Sequence, residues 1–193
     1  MKLNLLWPTP VWEFETPELL SLSNQLMENI RELNNKKITL PQNIFDASLP
    51  ASIELEKLIH SYTNEALIAA KYNWRYSYMM RGRVNMNKLG EWDSPHIHIG
   101  PQLVGVLYLR TPESSGNLVL IAPSFAGGLT STSETSSMAE RIVTKQQRTY
   151  FEVVPQVGKM VLFPSDLVHF VMPNTKDDTR VSVALNIELQ PST

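Results

Sequence analysis

Glu91-Trp92-Asp93-Ser94-Pro95-His96-Ile97-His98-Ile99 sets two of the chain's four histidines one residue apart. In an extended strand, side chains at i and i+2 leave the same face, their Cα atoms ~6–7 Å apart. Two imidazoles so placed can converge on one metal ion, with bonds of about 2.0–2.1 Å if it is zinc. A third histidine, His169, follows 73 residues later, after the β-rich run Lys159-Met160-Val161-Leu162-Phe163-Pro164. The fourth, His60, lies in an amphipathic helical stretch and reads as an ordinary helix residue. The expectation is that His96, His98 and His169 face one another across a small β-barrel and hold a metal.

Outward from that stretch the pattern is strand-like. Runs near Tyr76–Lys88, Pro95–Ile99, Leu103–Arg110, Asn117–Ala122, Thr149–Val154, Lys159–Phe163, Leu167–Val171 and Arg180–Leu189 are rich in β-branched and aromatic residues. Turn signals separate them, at Lys88-Leu89-Gly90, Glu113-Ser114-Ser115-Gly116, Pro155-Gln156-Val157-Gly158 and Asn174–Asp178. About eight short strands so spaced predict a sandwich, jelly roll or barrel. Ser124–Gln147, rich in Ser and Thr with Gly127-Gly128, reads as a flexible flap near a site opening, with a helical turn around Met138–Ile142.

Towards the N-terminus the period changes. Residues 3–15 contain Pro8 and Pro10 and read as an edge strand or arm. Thr16 is the expected N-cap of a helix that begins at Pro17 and carries Leu19, Leu22, Leu26, Ile30 and Leu33 on one face. A second helix is expected near Ala51–Lys71, burying Ile53, Leu55, Leu58, Ile59, Tyr62, Ala66, Leu67 and Ala70. Both read as supports covering a sheet. The organisation expected is one domain over 1–193: an arm and supporting helices at 1–75, a β core at 76–189, and a flexible loop at 123–147.

Composition narrows the chemistry. A chain of 193 residues with 42% hydrophobic content can bury one sizeable core. The net charge of -2 with scattered signs lacks the basic stripe of a nucleic-acid binder. No apolar run approaches the ~18 residues of a membrane span. There are no cysteines, so a metal must be held by imidazole, carboxylate and water. That composition suits the cytoplasm.

The last predicted strand carries the second chemical signal. Arg180, Ser182, Ala184, Asn186 and Glu188 fall on one face, and Val181, Val183, Leu185 and Ile187 on the other. With the apolar face under the helices, Arg180 and Ser182 point into the barrel. A guanidinium there is costly unless an anion meets it, and its planar fork suits a carboxylate. A structural ion pair with Asp177, Asp178 or Glu188 is the plainer alternative. Trp7, Trp12, Trp74 and Trp92 read as packing residues, and Met79, Met80 and Met86 as core filler.

The order H-x-H, distal His, then R-x-S eleven residues later resembles the iron(II)/2-oxoglutarate-dependent oxygenases. The chain is most similar to a prolyl-hydroxylase-like branch of hydroxylases with P-H-x-H, F-P-S-x-L-x-H-x-V-x-P-N and R-x-S-x-x-x-N. Here these stand as Pro95-His96-Ile97-His98, Phe163 to Asn174, and Arg180-Val181-Ser182 to Asn186. The resemblance covers roughly residues 75–189. It implies a mainly β fold with N-terminal helices, a double-stranded β-helix (jelly roll) supported by two helices. It also implies iron(II) as cofactor and 2-oxoglutarate as cosubstrate. By it, His96 is the first iron ligand and His169 the distal one, Arg180 grips the far carboxylate of 2-oxoglutarate, and Ser182 helps. Asn85, Asn87 and Tyr108 become wall residues of the pocket.

One position departs from that pattern. The usual triad is two histidines and a carboxylate, and here His98 stands where the carboxylate would be. Either His98 ligates, or water, Asp93 or Asp166 completes the sphere. The implied activity is oxidative decarboxylation of 2-oxoglutarate coupled to hydroxylation of a small-molecule or peptidyl substrate, with neither nucleic acid nor membrane as partner and self-association open. Two other readings stand beside it. A cupin-type metalloprotein would need no Arg180, and a non-catalytic jelly-roll binding protein would have lost turnover.

Overall fold

The computed structural model describes residues 9–71, 76–122 and 150–191. Chain order is β1 (Trp12–Glu15), α1 (Pro17–Asn35), α2 (Pro50–Ala69), β2 (Tyr76–Asn87), β3 (Asp93–His96), β4 (Leu103–Arg110), β5 (Leu118–Ile121), β6 (Tyr150–Val153), β7 (Lys159–Pro164), β8 (His169–Val171) and β9 (Arg180–Pro191). A short 3-10 turn at Ile44–Ala47 interrupts what the sequence reads only as a polar connection. The flap expected at 123–147, its helical turn, Trp7 and Trp74 lie outside the described residues.

Two antiparallel sheets form the jelly roll. The larger has the order β1-β7-β4-β9-β2 and the smaller β3-β8-β5-β6. β1 sits at an edge of the larger sheet, as expected of the proline-bearing stretch at 3–15, and joins the eight described strands from β2 to β9. The alternation expected for β9 holds. Val181, Val183, Leu185 and Ile187 join Leu107, Leu109, Met160 and Leu162 in a core closed by Leu19, Leu26, Ile30, Leu55 and Ile59 of the helices. The opposite face contributes Val104, Tyr108, Val161 and Phe163 to a second cluster with Leu118, Leu120, Val153 and Leu167 between the sheets. One sheet therefore separates a greasy support from a partly polar interior.

Thr16 caps α1 by accepting from the Leu19 amide at 3.2 Å, and Pro17 opens the helix. The Thr16 hydroxyl also meets the Tyr62 hydroxyl at 2.8 Å, tying the start of α1 to α2. On α2 the apolar reading is right for Leu55, Ile59, Ala66 and Leu67, but Ile53 is exposed. Two residues span ~200° of a helix, so a face centred on Leu55 and Ile59 turns Ile53 outward. Ser52 and Thr63 are buried in its place.

Candidate metal centre

β3 and β8 pair so that His96 stands directly across from His169. Strand β3 ends at His96, so His98 reaches the same hollow from the following loop, contrary to the expected strand alternation. Its position is set by its own backbone N–H, which donates to the Ser165 carbonyl at 2.9 Å. The ring centroids are 4.4 Å apart for His96 and His169, 5.1 Å for His96 and His98, and 5.2 Å for His98 and His169. One nitrogen from each ring lies within 4.8 Å of the others, so the three histidines can close on a single ion. Asp166 is exposed and stands outside this group, as does Asp93.

Local hydrogen bonds prepare the rings for that task. His169 Nδ1 is 2.8 Å from the Leu167 carbonyl, and His96 Nδ1 is 2.6 Å from the Ser94 carbonyl. A carbonyl can only accept, so both Nδ1 atoms carry the proton and both Nε2 lone pairs are free to ligate, the usual arrangement for a metal-bound histidine. Burial, reinforced by the neighbouring rings, lowers the His169 pKa to about 4. Burial also lowers that of His98, aided by His96, while Asn186 opposes the shift. Neutral imidazoles are the form a cation needs. Imidazole donors suit iron among the first-row metals, so the donor set fits the ion implied by the sequence.

Arg180 is 1% exposed and points between the sheets, where the strand alternation puts it. Its Nη1 donates to the carbonyls of Ser115 and Gly116, each at 3.0 Å, and its Nη2 lies 3.9 Å from Asp93. Its Nε is buried without a partner, as are Asn87 Oδ1 and Ser115 Oγ. Buried polar groups are nearly always paired, so an unsatisfied edge on a buried guanidinium marks room for an acceptor. The alternative, a structural pair with Asp177, Asp178 or Glu188, is not formed: Asp178 pairs with Arg110, and the acid beside Arg180 is Asp93. Burial depresses the Arg180 pKa, and Tyr108 and Asp93 counter it.

The other expected wall residues gather nearby. Cross-strand register sets Ser182 opposite both Asn85 of β2 and Tyr108 of β4, and Asn87 opposite Arg180. Tyr108 is buried, which raises its pKa well above the ordinary phenol value and keeps the ring neutral. Three features of the site go unread in the sequence as such. Asp93 is the ion-pair partner of Arg180. Gly116 adopts φ +91°, with the Met172 carbonyl 2.0 Å from where a Cβ would sit. Asn174 is fully buried and its amide bonds the carbonyls of Asn87 and Asp178, closing the turn that leads into Arg180. Each left a partial signal: Asn174 as the last residue of the motif around His169, Gly116 in a turn, and Asp93 as a candidate ligand and not as an arginine partner.

Comparisons with known proteins bear on the family and the fold. Residues 83–186 match the family model described as "Putative 2OG-Fe(II) oxygenase". A Pseudomonas putida prolyl-4-hydroxylase is similar at a TM-score of 0.61 and 14% identity, covering 92% of this chain and 86% of that one. AviO1 from Streptomyces viridochromogenes Tue57 follows at 0.59 and 12%, covering 96% and 91%. HygX from Streptomyces hygroscopicus, solved with nickel and 2-oxoglutarate bound, is similar at 0.56 and 13%, covering 95% and 83%. At such identities the structures speak for the fold. No curated protein matches the chain in sequence. The family match spans more than half of the chain, and by it the chain belongs to the 2OG-Fe(II) oxygenases, enzymes that work with iron(II) and 2-oxoglutarate.

Proposed function

We propose that the chain is a hydroxylase in which His96, His98 and His169 hold iron(II), and Arg180 with Ser182 receives the far carboxylate of 2-oxoglutarate. The single observation that carries this reading is the unpartnered Nε of a fully buried Arg180, whose guanidinium lies 3.9 Å from Asp93 on the strand that ends in His96 of the three converging imidazoles. Iron(II) supplies the redox chemistry: dioxygen and 2-oxoglutarate give carbon dioxide and succinate, one oxygen atom entering succinate and the other a substrate C–H bond.

The chain's own residues do the positioning. The carbonyls of Ser115 and Gly116 fix the guanidinium so that its free edge is presented without reorganisation, which lowers the entropic cost of docking a dicarboxylate. Leu167 and Ser94 hold two imidazoles in the ligating tautomer. Neutral Tyr108 and the amide of Asn85 flank Ser182 and form the polar wall against which the cosubstrate lies. Among the described residues no helix is long and apolar enough to cross a membrane. A cytoplasmic setting rests on the cysteine-free composition alone, and the substrate is a small molecule or a peptidyl group.

The test is anaerobic titration of 2-oxoglutarate into the iron(II)-loaded chain, followed by visible absorption. A new charge-transfer band that saturates is expected. A spectrum indifferent to 2-oxoglutarate would overturn the assignment of Arg180 and return the site to metal binding without this cosubstrate.

A further inference from the structure

The polar inner face of β2 and β9 does not stop at the metal centre. Its cross-strand pairs run in order from Asn87–Arg180 through Asn85–Ser182 and Arg83–Ala184 to Arg81–Asn186. Residues two apart share a face, so this ladder leads from the buried Arg180 outward to two exposed arginines. There Arg81, Arg83 and Asn186 line a cleft of about 620 Å³ together with Gln42, Asn43 and Asp46. Asn186 and Arg83 also act electrostatically on the His98 ring, so the cleft adjoins the histidine cluster.

Charge in this cleft is unbalanced. Neither Arg81 nor Arg83 has an ion-pair partner among the described residues. Arg83 uses Nε on Asn85 Oδ1 at 3.0 Å, and Arg81 Nη2 meets only the Met79 sulfur at 3.8 Å. Asp46, the one acid of the lining, already accepts from Asn43 Nδ2 at 3.0 Å. Asn43 in turn is fixed by accepting from the Gly82 backbone N–H at 2.8 Å. The wall is thus built, and the two solvent-exposed guanidiniums keep N–H donors that no acid among the described residues takes. Planar, bidentate guanidinium recognition selects carboxylate and phosphate oxygens.

We propose that this cleft is the subsite for the substrate to be oxidised, and that Arg81 and Arg83 grip a carboxylate or phosphate group on it. The proposal rests on the oxygenase reading above and narrows the substrate to an oxyanion-bearing molecule. Gln42, Asn43 and Asn186 add uncharged donors and acceptors to the same wall.

The experiment follows the arginine Nε–H signals of the full chain by ¹⁵N NMR, loaded with zinc and saturated with 2-oxoglutarate. Acetate and inorganic phosphate are titrated in separate arms, so that the preferred oxyanion is read directly. Saturable shifts at Arg81 and Arg83 are expected with at least one of them, and the affinity, followed in parallel at the Asn43 and Asn186 side-chain amide signals that the variants keep, is weakened at least tenfold in R81Q/R83Q. If the double variant does not fold, R81Q alone, at an exposed position, must weaken binding at least threefold. No saturable shift in either arm, or an undiminished affinity in the variants, overturns the subsite. Binding of 2-oxoglutarate to the wild-type chain is measured first. Its failure refutes the oxygenase roles, whereas failure of the anion arms alone refutes only the cleft.

Discussion

Replacing Arg180 by lysine keeps a positive charge inside the barrel while removing the planar fork. The guanidinium spends Nη1 on two carbonyls at 3.0 Å and leaves the Nε–Nη2 edge, with Nε unpartnered and Nη2 3.9 Å from Asp93. A carboxylate on that edge would take two charge-assisted hydrogen bonds, each worth ~1.5–3 kcal/mol. An ammonium that must also satisfy the carbonyls of Ser115 and Gly116 can give the cosubstrate at most one. The loss is therefore ~1.5–3 kcal/mol, or about 10- to 150-fold in the 2-oxoglutarate dissociation constant. Metal affinity is expected to hold, because Arg180 is not among the groups that shift the His98 or His169 titration. Calorimetric titration of the anaerobic chain, first with iron(II) and then with 2-oxoglutarate, separates the two affinities. A lysine variant that binds 2-oxoglutarate as tightly as the parent would show that the buried guanidinium is architectural and that the dicarboxylate, if it binds, does so elsewhere.

Three further outcomes follow. Asp93→Asn removes a carboxylate 3.9 Å from Arg180 that competes with an incoming one; solvent screening at a partly exposed acid holds the gain to ~1 kcal/mol, about fivefold tighter 2-oxoglutarate in the same titration. Gly116→Ala forces a Cβ onto the Met172 carbonyl at a positive φ, and should cost ~3 kcal/mol or more in urea unfolding while loosening the carbonyl that holds Arg180. In the metal-free chain, His169 stays neutral down to about 4 when folded but takes a proton near its ordinary value of 6.5 when unfolded. The stability it contributes is complete above pH 6.5 and falls as pH drops towards 4, by ~3 kcal/mol. Urea midpoints measured across that window should fall less steeply in His169→Gln, and parallel profiles for the two proteins would refute the shift.

How much of this was legible beforehand depended on whether a signal was local. Strand alternation in β9 separates Arg180 and Ser182 from Val181 and Val183 without reference to the rest of the chain, and the structure keeps that separation. Thr16-Pro17 marks a helix start by its own capping chemistry, and the cap is there. The two histidines of H-x-H do meet His169, but not by strand alternation: β3 ends at His96, and a backbone bond to Ser165 sets His98 where strand geometry is expected to put it. Asp93 as the partner of Arg180, and the Ser115–Gly116 carbonyls beneath it, join residues tens of positions apart. Such contacts are set by how two sheets close over one another, which periodicity does not encode. Ile53 misled for a smaller reason, because a helix with apolar residues around much of its circumference leaves its buried phase underdetermined.

His98 gives the site its distinctive electrostatics. A carboxylate in that position would place a negative charge directly on the ion, whereas three neutral imidazoles leave the charge of a divalent cation undiminished. The chain holds a carboxylate close by all the same. Asp93, like the Leu167 carbonyl, opposes the lowering of the His169 pKa, and it lies beside Arg180, so its field reaches both the ligand cluster and the anion receiver. With Asp93 offsetting the guanidinium, iron(II) held on three imidazoles as proposed would leave two positive charges, which the two carboxylates of 2-oxoglutarate would neutralise. Binding of the cosubstrate, more than binding of the metal, is then the step at which the buried charges come into balance.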